Sequence, residues 1–372
     1  MLLIDNDVVK KVLRMDECID VLIEVFKGLL NGDSIQRPRI DVYIPSRERP
    51  DGYYRWGTME GGNKILERFA IRMKSDIITW PRDEFGNWSE KKYCMEPGTY
   101  CGLILLFSTR NGEPLAIINE GYLQHMRVAA GAGIGAKYLS RKNSKIVGII
   151  GSGGMARSYL KAFCAVRDIQ KAKVYSPNRA RRKQYAEEMS QELAVEIEPV
   201  NEAREAVRGV DIVATCTDSL MPVLKGEWLE PGMHVTDLSR SELGEDVFRK
   251  ADVIIKQGVS ELIPQEQSER IKKGVGGSPV AYIAGSQEEM ARMPISAHNE
   301  WFSLMKDYPH AVDVISGKVK GRNNDKDITL YLNIGNQGLQ FVAVGDLVYR
   351  KAKELGLGKD LPTEWFLQNI RD

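Results

Sequence analysis

The strongest structural signal in the chain is the segment Ile146-Val147-Gly148-Ile149-Ile150-Gly151-Ser152-Gly153-Gly154-Met155-Ala156. Its first five residues have the length and apolar character of a buried strand. The other six fit the pattern G-x-G-x-x-A, whose glycines permit a tight turn and let the backbone approach a pyrophosphate. The free N–H groups of the following helix attract phosphates. The stretch therefore predicts a dinucleotide site that includes Gly151, Gly153, Gly154, Met155 and Ala156.

The chain after this stretch alternates strand and helix patterns. Short apolar runs predict further strands at 174–175, 195–197, 212–215, 234–238 and 253–256. Strands that alternate with helices form a parallel sheet covered on both faces. The sequence therefore predicts an α/β fold with a doubly wound dinucleotide-binding domain of the Rossmann type.

The end of the second predicted strand carries arginines instead of a carboxylate. It reads Val174-Tyr175-Ser176-Pro177-Asn178-Arg179, and two more arginines follow. NAD sites usually place Asp or Glu here to accept a hydrogen bond from the ribose 2′-OH. Because Arg179 can instead pair with a 2′-phosphate, the sequence favours NADP(H) over NAD(H), with Ser176 and Asn178 as neighbouring contacts. The arginines are also compatible with the first turn of a solvated helix.

Two segments before this domain alternate with a period of two, which is typical of strands. In the first, apolar residues alternate with Arg39 and Asp41, and in the second they alternate with Arg72 and Lys74. Each strand thus presents basic groups from one side of a sheet. That side either faces solvent or lines a site.

The segment 53–62 between these strands mixes aromatic residues with glycines. It is compatible with a pocket wall and with a hairpin that has a packed rim. Trp56 and Met59 are its candidates for apolar contact with a ligand.

A helix is predicted at 120–140, and its middle, 129–133, contains only alanine and glycine. Such small side chains require the close approach of another backbone. The helix therefore connects two domains.

Length and composition narrow the class of protein. A chain of 372 residues suits two packed domains. Its 43% hydrophobic and 28% charged residues are typical of a globular protein. The net charge of +1 gives no basic surplus for nucleic acid. No apolar run reaches the roughly 18 residues of a membrane span.

The cysteines and histidines lack metal-binding spacing. None of the five cysteines forms a Cys-x-x-Cys pair, and the four histidines contain no i, i+4 pair. We therefore expect reduced thiols, no metal site and a cytoplasmic protein. Charged residues in the first seven positions argue against a cleaved signal peptide.

Several motifs together resemble the ornithine cyclodeaminase/mu-crystallin family over nearly the whole chain, from Arg37 to about Gly358. The motifs are Arg72-Met73-Lys74-Ser75, Gly112-Glu113-Pro114-Leu115, Arg127-Val128-Ala129-Ala130, Lys137-Tyr138-Leu139, the glycine loop, Ala214-Thr215-Cys216-Thr217 and Glu230-Pro231-Gly232-Met233-His234. The resemblance implies that residues 1–125 with 325–372 form an α+β substrate-binding and dimerisation domain. Residues 126–324 would form the Rossmann domain, and the protein would be a homodimer.

The resemblance also implies roles for individual residues. Arg39 and Arg127 match positions that hold a substrate carboxylate, with Arg72 beside them, and Lys74 matches a lysine next to the reacting carbon. A lysine near two arginines has a lowered pKa and can donate a proton to an imine or a leaving amine. Asn178-Arg179 matches the Asn-Arg of NADPH-binding members, and Thr215 and Thr217 join the cofactor site.

Three departures from the family stand out. The segment 235–242 is shorter than the one that carries the cyclodeaminases' catalytic aspartate, which leaves Asp237 as the candidate for that role. Val128 replaces a threonine, and Gln340-Phe341 stands where many members have Glu-Asp or Gln-Asp. The segment 80–93 looks like an insertion that can cover a substrate.

The family shares a hydride-transfer step on small amino, imino or keto acids. NADP-type binding and the altered aspartate segment favour reduction of an imine, or reductive amination of a keto acid. One alternative is a cyclodeaminase that releases ammonia from ornithine or lysine with catalytic NAD. The other is an NADPH-dependent binding protein, which Lys74 and Arg127 argue against because a pure binder needs no proton donor.

Overall fold

The computed structural model describes residues 1–258, 271–275, 278–283, 286–293 and 308–370, except Asp83, Phe85 and Asn87. Within these residues the strands form two sheets, a large, mostly antiparallel sheet and a smaller parallel sheet. None of the described helices is long and apolar enough to cross a membrane.

The parallel sheet contains the dinucleotide motif. Its strands, in spatial order, are β10 (Glu196–Pro199), β9 (Lys171–Tyr175), β8 (Ile146–Ile150), β11 (Ile212–Thr215), β12 (His234–Thr236), β16 (Thr329–Leu332) and β13 (Val253–Lys256). The helices between them are Gly154–Val166, Arg179–Leu193, Ala203–Val207 and Glu245–Lys250, with 3₁₀ turns at Gly226–Trp228 and Arg240–Glu242. This arrangement confirms the predicted doubly wound α/β fold.

The large sheet is built mainly from the first part of the chain. Its strands, in spatial order, are β14 (Ile271–Val275), β15 (Ser278–Ile283), β2 (Ser34–Pro45), β3 (Gly52–Asn63), β4 (Arg68–Thr79), β6 (Cys101–Ser108), β7 (Pro114–Asn119), β1 (Leu2–Ile4) and β17 (Lys359–Asp360). The short strand β5 (Lys91–Tyr93) pairs with the end of β4. Only β15–β2 and β7–β1 are parallel pairs among these described strands.

Helices cover one face of the large sheet. The C-terminal helix Gln337–Glu354 packs on β2, β3, β4 and β6. The helices Asn6–Val12 and Met15–Lys27 pack beside it. The remaining helical segments are Gln287–Ala291, Ala311–Ile315 and the 3₁₀ turn Thr363–Phe366.

Sheet membership differs from the predicted domain boundaries in two places. Strand β16 lies between β12 and β13 in the parallel sheet, although 325–372 was assigned to the other domain. All four of its residues are buried, as expected for a strand covered on both faces. Strands β14 and β15 lie within 126–324, yet they extend the large sheet next to β2. As a division into folding units, the boundaries stay a prediction.

The helix Gly121–Leu139 joins the two sheets, as its small residues predict. A Cβ atom on Gly133 would lie 2.8 Å from Ile19, and one on Gly135 would lie 2.5 Å from the ring of Tyr331. The close neighbours are therefore side chains from both halves of the molecule, rather than another backbone. Larger residues at these positions would separate the two sheets.

Candidate active site

Most charged residues of β2, β3 and β4 lie on the inner face of the large sheet, which the C-terminal helix covers. Buried there are Asp41, Arg55, Arg72, Lys74 and Asp76. The apolar residues that alternate with them in β4 face outward and are only partly buried. The alternative of a solvated charged face is therefore wrong, because the buried face is the charged one.

Trp56 and Met59 lie on opposite faces of β3. Met59 is buried opposite Arg72 on the inner face. Trp56 pairs with Ser75 and is only partly buried. Because successive side chains of a strand point to opposite faces, Trp56 does not join the inner cluster. The structure thus places only Met59 on the inner face, and contact of either residue with a ligand stays a prediction.

Lys74 and Arg39 share the buried carboxylate of Asp41. Lys74 Nζ lies 3.0 Å from Asp41 Oδ1, and Arg39 Nε lies 2.7 Å from Asp41 Oδ2. Burial and the charge of Arg39 lower the pKa of Lys74 well below that of a free lysine. Burial alone would raise the pKa of Asp41, but the two cations hold it well below its usual value. Ser278 of β15 donates a hydrogen bond to the same carboxylate.

A glycine makes room for this ion pair. Asp41, Gly57 and Lys74 lie side by side on neighbouring strands. A Cβ atom on Gly57 would lie 2.1 Å from Asp41 Oδ1 and 2.3 Å from Lys74 Cε. The lysine therefore reaches the aspartate across β3 only because residue 57 has no side chain.

The second buried pair joins Arg72 to Glu120. Arg72 Nε lies 2.7 Å from Glu120 Oε2, and its Nη2 lies 2.5 Å from Oε1. A Cβ atom on Gly102 would lie 1.8 Å from Glu120 Oε2, so a glycine again makes room for a charge. Glu120 thus binds the Nε and Nη2 edge of the guanidinium, and Nη2 also donates to the Tyr100 hydroxyl at 2.8 Å. The contact of Arg72 with the substrate stays a prediction.

A third pair ties the segment 80–93 to the cluster. Arg55 forms two hydrogen bonds with Asp76, of 2.8 and 2.7 Å, and its Nη1 lies 3.5 Å from Glu90. Burial would raise the pKa of Glu90, but Arg55 keeps it below the usual value. Three of the residues in this segment lie outside the described ones.

The segment 80–93 also contacts the loop after β11 in the parallel sheet. Ser89 forms a β-bridge with Ser219, and Lys91 Nζ lies 2.6 Å from Asp218 Oδ2. The insertion therefore lies between the charged cluster and the dinucleotide end of the parallel sheet. Its role as a cover for the substrate stays a prediction.

Arg127 is a buried cation held by neutral groups. It donates to Gln340 Oε1 at 2.6 Å and to Gln124 Oε1 at 2.7 Å. Its guanidinium carbon lies 4.6 Å from the centre of the Phe341 ring. Burial and the nearby charge of Arg72 lower the pKa of Arg127 to about 9. Within the described part of the chain no carboxylate pairs with Arg127, so its charge can attract an anionic ligand.

The dinucleotide loop has the geometry that its glycines predict. Gly151 has a φ of +123°, and a Cβ atom there would lie 2.2 Å from the carbonyl oxygen of Cys216. At Gly153, by contrast, no described atom lies within 4 Å of a Cβ position. The helix Gly154–Val166 begins without a side-chain cap, so its first N–H groups can bind phosphate. Met155 and Ala156 form the first turn of that helix. The loop therefore fits a dinucleotide.

The end of β9 offers two exposed arginines near this loop. Ser152 Oγ lies 2.9 Å from Ser176 Oγ, which joins the loop to the strand end. Asn178 caps the next helix, where Arg179 is exposed. Arg182 is instead buried and donates to the Ser176 carbonyl at 2.9 Å. Arg179 is thus exposed to solvent, whereas Arg182 supports the end of the strand.

Thr215 and Thr217 both bind a carboxylate that the sequence reasoning missed, that of Glu242. Thr217 donates to it through its backbone N–H and its hydroxyl, at 2.6 and 2.7 Å. Thr215 donates through its hydroxyl at 3.2 Å. The sequence signal was the Ser239-x-x-Glu242 spacing, which is that of a capping box.

Asp237 lies at the carboxyl end of β12. Its Oδ1 accepts the N–H of Asn333 at 2.8 Å, and its carbonyl accepts the Tyr159 hydroxyl at 2.9 Å. Asn333 also donates to the carbonyl of Val128, which follows Arg127. Asp237 therefore lies beside the connector helix near Arg127, and its catalytic role stays a prediction.

No group of three histidine, cysteine or acidic residues among the described ones is placed to hold a metal ion. The five cysteines are described as free thiols.

Comparison with known proteins extends this picture. A model of the ornithine cyclodeaminase/mu-crystallin family matches residues 89–356. Δ1-pyrroline-2-carboxylate reductase of Bacillus cereus is 26% identical over 268 residues, which are 71% of this chain and 74% of the relative. Alanine dehydrogenase of Archaeoglobus fulgidus is 25% identical over 375 residues and covers 97% of this chain and 98% of its own.

A solved structure gives the same result in three dimensions. Δ1-pyrroline-2-carboxylate reductase of Thermococcus litoralis, in complex with NADH and L-proline, superposes with a TM-score of 0.73 at 27% identity. The match covers 97% of this chain and all of that one. The likeness therefore includes both sheets.

Proposed function

The chain belongs to the ornithine cyclodeaminase/mu-crystallin family, and on that premise we propose that it reduces an imine to a small amino acid with a nicotinamide dinucleotide. Relatives named as a pyrroline-carboxylate reductase and an alanine dehydrogenase support an NAD(P)H-dependent oxidoreductase that acts on a carbon–nitrogen bond. The observation that carries the proposal is the buried Lys74–Asp41–Arg39 group. Among the described residues Arg127 has no carboxylate partner, and burial, together with charges that include Arg39, lowers its pKa.

Arg127 and Arg39 bind the carboxylate of the substrate. Arg127 has only amide oxygens and an aromatic ring as described partners, and Arg39 shares Asp41 with a second cation. The Arg127 guanidinium therefore gains from a bound anion, and the planar forks of both arginines suit a carboxylate. The anion also offsets the positive charge that burial makes unfavourable at Arg127.

Lys74 supplies the proton. When bound, the dinucleotide supplies the hydride that the imine carbon accepts. A lysine with a lowered pKa releases its proton more easily to the substrate nitrogen and recovers it from solvent. Asp41, 3.0 Å away, fixes the direction of the ammonium group.

The proposal is tested by following NADPH and NADH oxidation with a panel of substrates. The panel contains cyclic imino acids, and 2-keto acids with ammonia or methylamine. We expect steady oxidation with at least one imine. If no imine is reduced and ammonia is released from ornithine or lysine with catalytic NAD(P), the chain is a cyclodeaminase. If a reduced cofactor binds and neither reaction occurs, the chain is a binding protein.

The preferred dinucleotide is NADP(H), because an exposed Arg179 stands where NAD sites usually carry a carboxylate. Arg179→Asp should lower the NADPH-to-NADH preference by about tenfold to a hundredfold, the worth of one charged hydrogen bond. Arg181→Asp is the matched control, since Arg181 is exposed on the same helix turn. An unchanged preference in Arg179→Asp would contradict the assignment.

Two copies of the chain pair through the outer face of the large sheet. That face carries a row of partly exposed apolar residues: Val42, Trp56, Phe69, Ile71, Met73, Leu103, Leu105 and Phe107. An apolar surface of this extent is favourable to cover.

Five free thiols agree with the predicted cytoplasmic location.

A further inference from the structure

The carboxyl ends of β11 and β12 lie next to the dinucleotide loop. The two strands are parallel neighbours, and the Cys216 carbonyl after β11 lies against Gly151. In open α/β sheets, ligands bind in the crevice outside the carboxyl ends of the strands. The loops at these two ends therefore form one wall of the cofactor site.

One buried carboxylate holds both loops. Glu242 is fully buried and accepts from Thr215 and Thr217 after β11. From the loop after β12 it accepts the N–H groups of Leu238 at 3.1 Å and Ser239 at 2.8 Å. Five donors from two separate loops thus converge on two oxygens.

A carboxylate is the group that this position requires. When ionised it only accepts hydrogen bonds, with about four lone-pair sites on its two oxygens. An amide of the same shape would place an N–H donor against the N–H groups of Thr217 or of Leu238 and Ser239. Either contact would push one loop away from the other.

We propose that Glu242 is the positioning residue of the cofactor site and sets the separation of the loops after β11 and β12. It acts through Thr217 and Ser239 and does not itself need to touch the dinucleotide. The inference rests on the proposed function, since it assumes that a nicotinamide dinucleotide binds at these strand ends.

The ionisation of Glu242 gives this role a pH signature. The titratable groups that face it are Asp237 after β12, Cys216 after β11 and Tyr159 of the helix Gly154–Val166. Burial raises the pKa of Glu242 to about 7, although hydrogen bonds from Thr217 and Ser239 oppose that rise. Protonation turns one acceptor into a donor, so cofactor affinity should fall as the pH drops through neutrality.

Folding stability should change in the opposite direction. The pKa of Glu242 is higher in the folded protein than in the unfolded chain. Its stabilising contribution is therefore present at low pH and is lost as the pH rises through about 7. Cofactor affinity and folding stability should therefore change in opposite directions with pH. This difference distinguishes a role in positioning the cofactor loops from a general effect on the fold.

The test is a fluorescence titration of NADPH at pH 6, 7 and 8 with the wild-type protein, Glu242→Gln, Thr217→Val and the double variant. Glu242→Gln should raise the Kd about tenfold or more at pH 8 and flatten its pH dependence. The double variant should bind no more weakly than the worse single variant, because both changes act on one contact. Glu289→Gln, a capping-box glutamate outside the parallel sheet, should leave the Kd unchanged.

A folded Glu242→Gln protein with a wild-type Kd at pH 8 would overturn the inference and leave the proposed function intact. If that variant does not fold, a Thr217→Val protein whose Kd keeps the wild-type value would overturn it equally. If the wild-type protein binds neither NADPH nor NADH, the proposed function fails and the inference fails with it.

Discussion

On the inner face of β4, Arg72 and Lys74 are buried among other charges. On the outer face of the same strand, Ile71 and Met73 are partly exposed. Most strands bury their apolar side and expose their polar side, so this part of β4 has the reverse arrangement. Both faces are energetically unfavourable in an isolated chain. Buried charges require partners of opposite charge, and exposed apolar groups require shielding from water.

The two faces therefore differ in the role that they can have. Within the described residues the inner cations contact carboxylates, except Arg127, whose charge an anionic substrate would balance. The outer face is mostly apolar, apart from the Arg37–Glu60 ion pair, and suits a second copy of the chain. The faces can therefore be disturbed separately, and the effects should differ in kind.

The largest expected effect follows from breaking an inner pair. Glu120→Gln leaves the Arg72 guanidinium buried without its carboxylate. Loss of one partner of a buried ion pair costs about 3–5 kcal/mol of unfolding free energy. Denaturant unfolding measures this change. The exposed pair Arg14–Asp16 provides the control, since Asp16→Asn should leave the midpoint unchanged. Equal midpoints for both variants would contradict the role of the inner pairs.

The next effect separates the faces within one strand. Gly57→Ala places a methyl group between Lys74 and Asp41, and overpacking of this kind costs about 1–3 kcal/mol. We expect turnover to fall by about tenfold to a hundredfold while the Kd for NADPH is kept. The neighbouring outward residue serves as the control, so Thr58→Ala should retain turnover. Equal rates for the two variants would show that the Lys74–Asp41 contact is dispensable.

The outer face should respond in its association state. Leu105→Glu introduces a charge into the apolar row, and a buried leucine contributes about 1.5–3 kcal/mol to an interface. We expect sedimentation velocity to show monomers with an unchanged far-ultraviolet spectrum. Leu355→Glu lies outside that row, is 58% exposed and should stay dimeric. A dimeric Leu105→Glu protein, or a monomeric wild type, would place the interface elsewhere or remove it.

The smallest effect concerns charges outside the cluster. Lys91 and Asp218 form an ion pair whose side chains are 58% and 65% exposed. Because water and salt screen such pairs, Lys91→Ala should change stability by less than about 1 kcal/mol. Thermal unfolding at low and high salt measures this. If Lys91→Ala lost as much stability as Glu120→Gln, solvent exposure would not determine how much an ion pair contributes.

The sequence predicted the parallel sheet well because its signals are local. The run 146–150 and the strands at 212–215 and 253–256 end where the structure ends them. Strand β16 pairs within the parallel sheet although residues 325–372 were assigned to the other domain, since four buried residues do not reveal which neighbours they pair with. The periodicity of the sequence therefore does not predict which strands pair when they are far apart in the chain.

The sequence predicted the cations of the candidate site, but not the carboxylates that contact those cations or the two threonines. Arg39, Lys74 and Arg127 came from pattern and resemblance, whereas Asp41, Glu120 and Glu242 are defined by contacts between distant segments. Gly57 and Gly102 were a possible signal. Glycines opposite a charged residue within strands mark places where another side chain has to pass.

We expect Lys74 to act in turnover and not in holding the dinucleotide. A comparison of kcat and the NADPH Kd of Lys74→Ala with those of the wild-type protein, on an imine that the wild type reduces, measures this. We predict that kcat falls by about a hundredfold to ten-thousandfold, the usual worth of a general acid, and that the Kd is unchanged. A Lys74→Ala protein with wild-type kcat would contradict it.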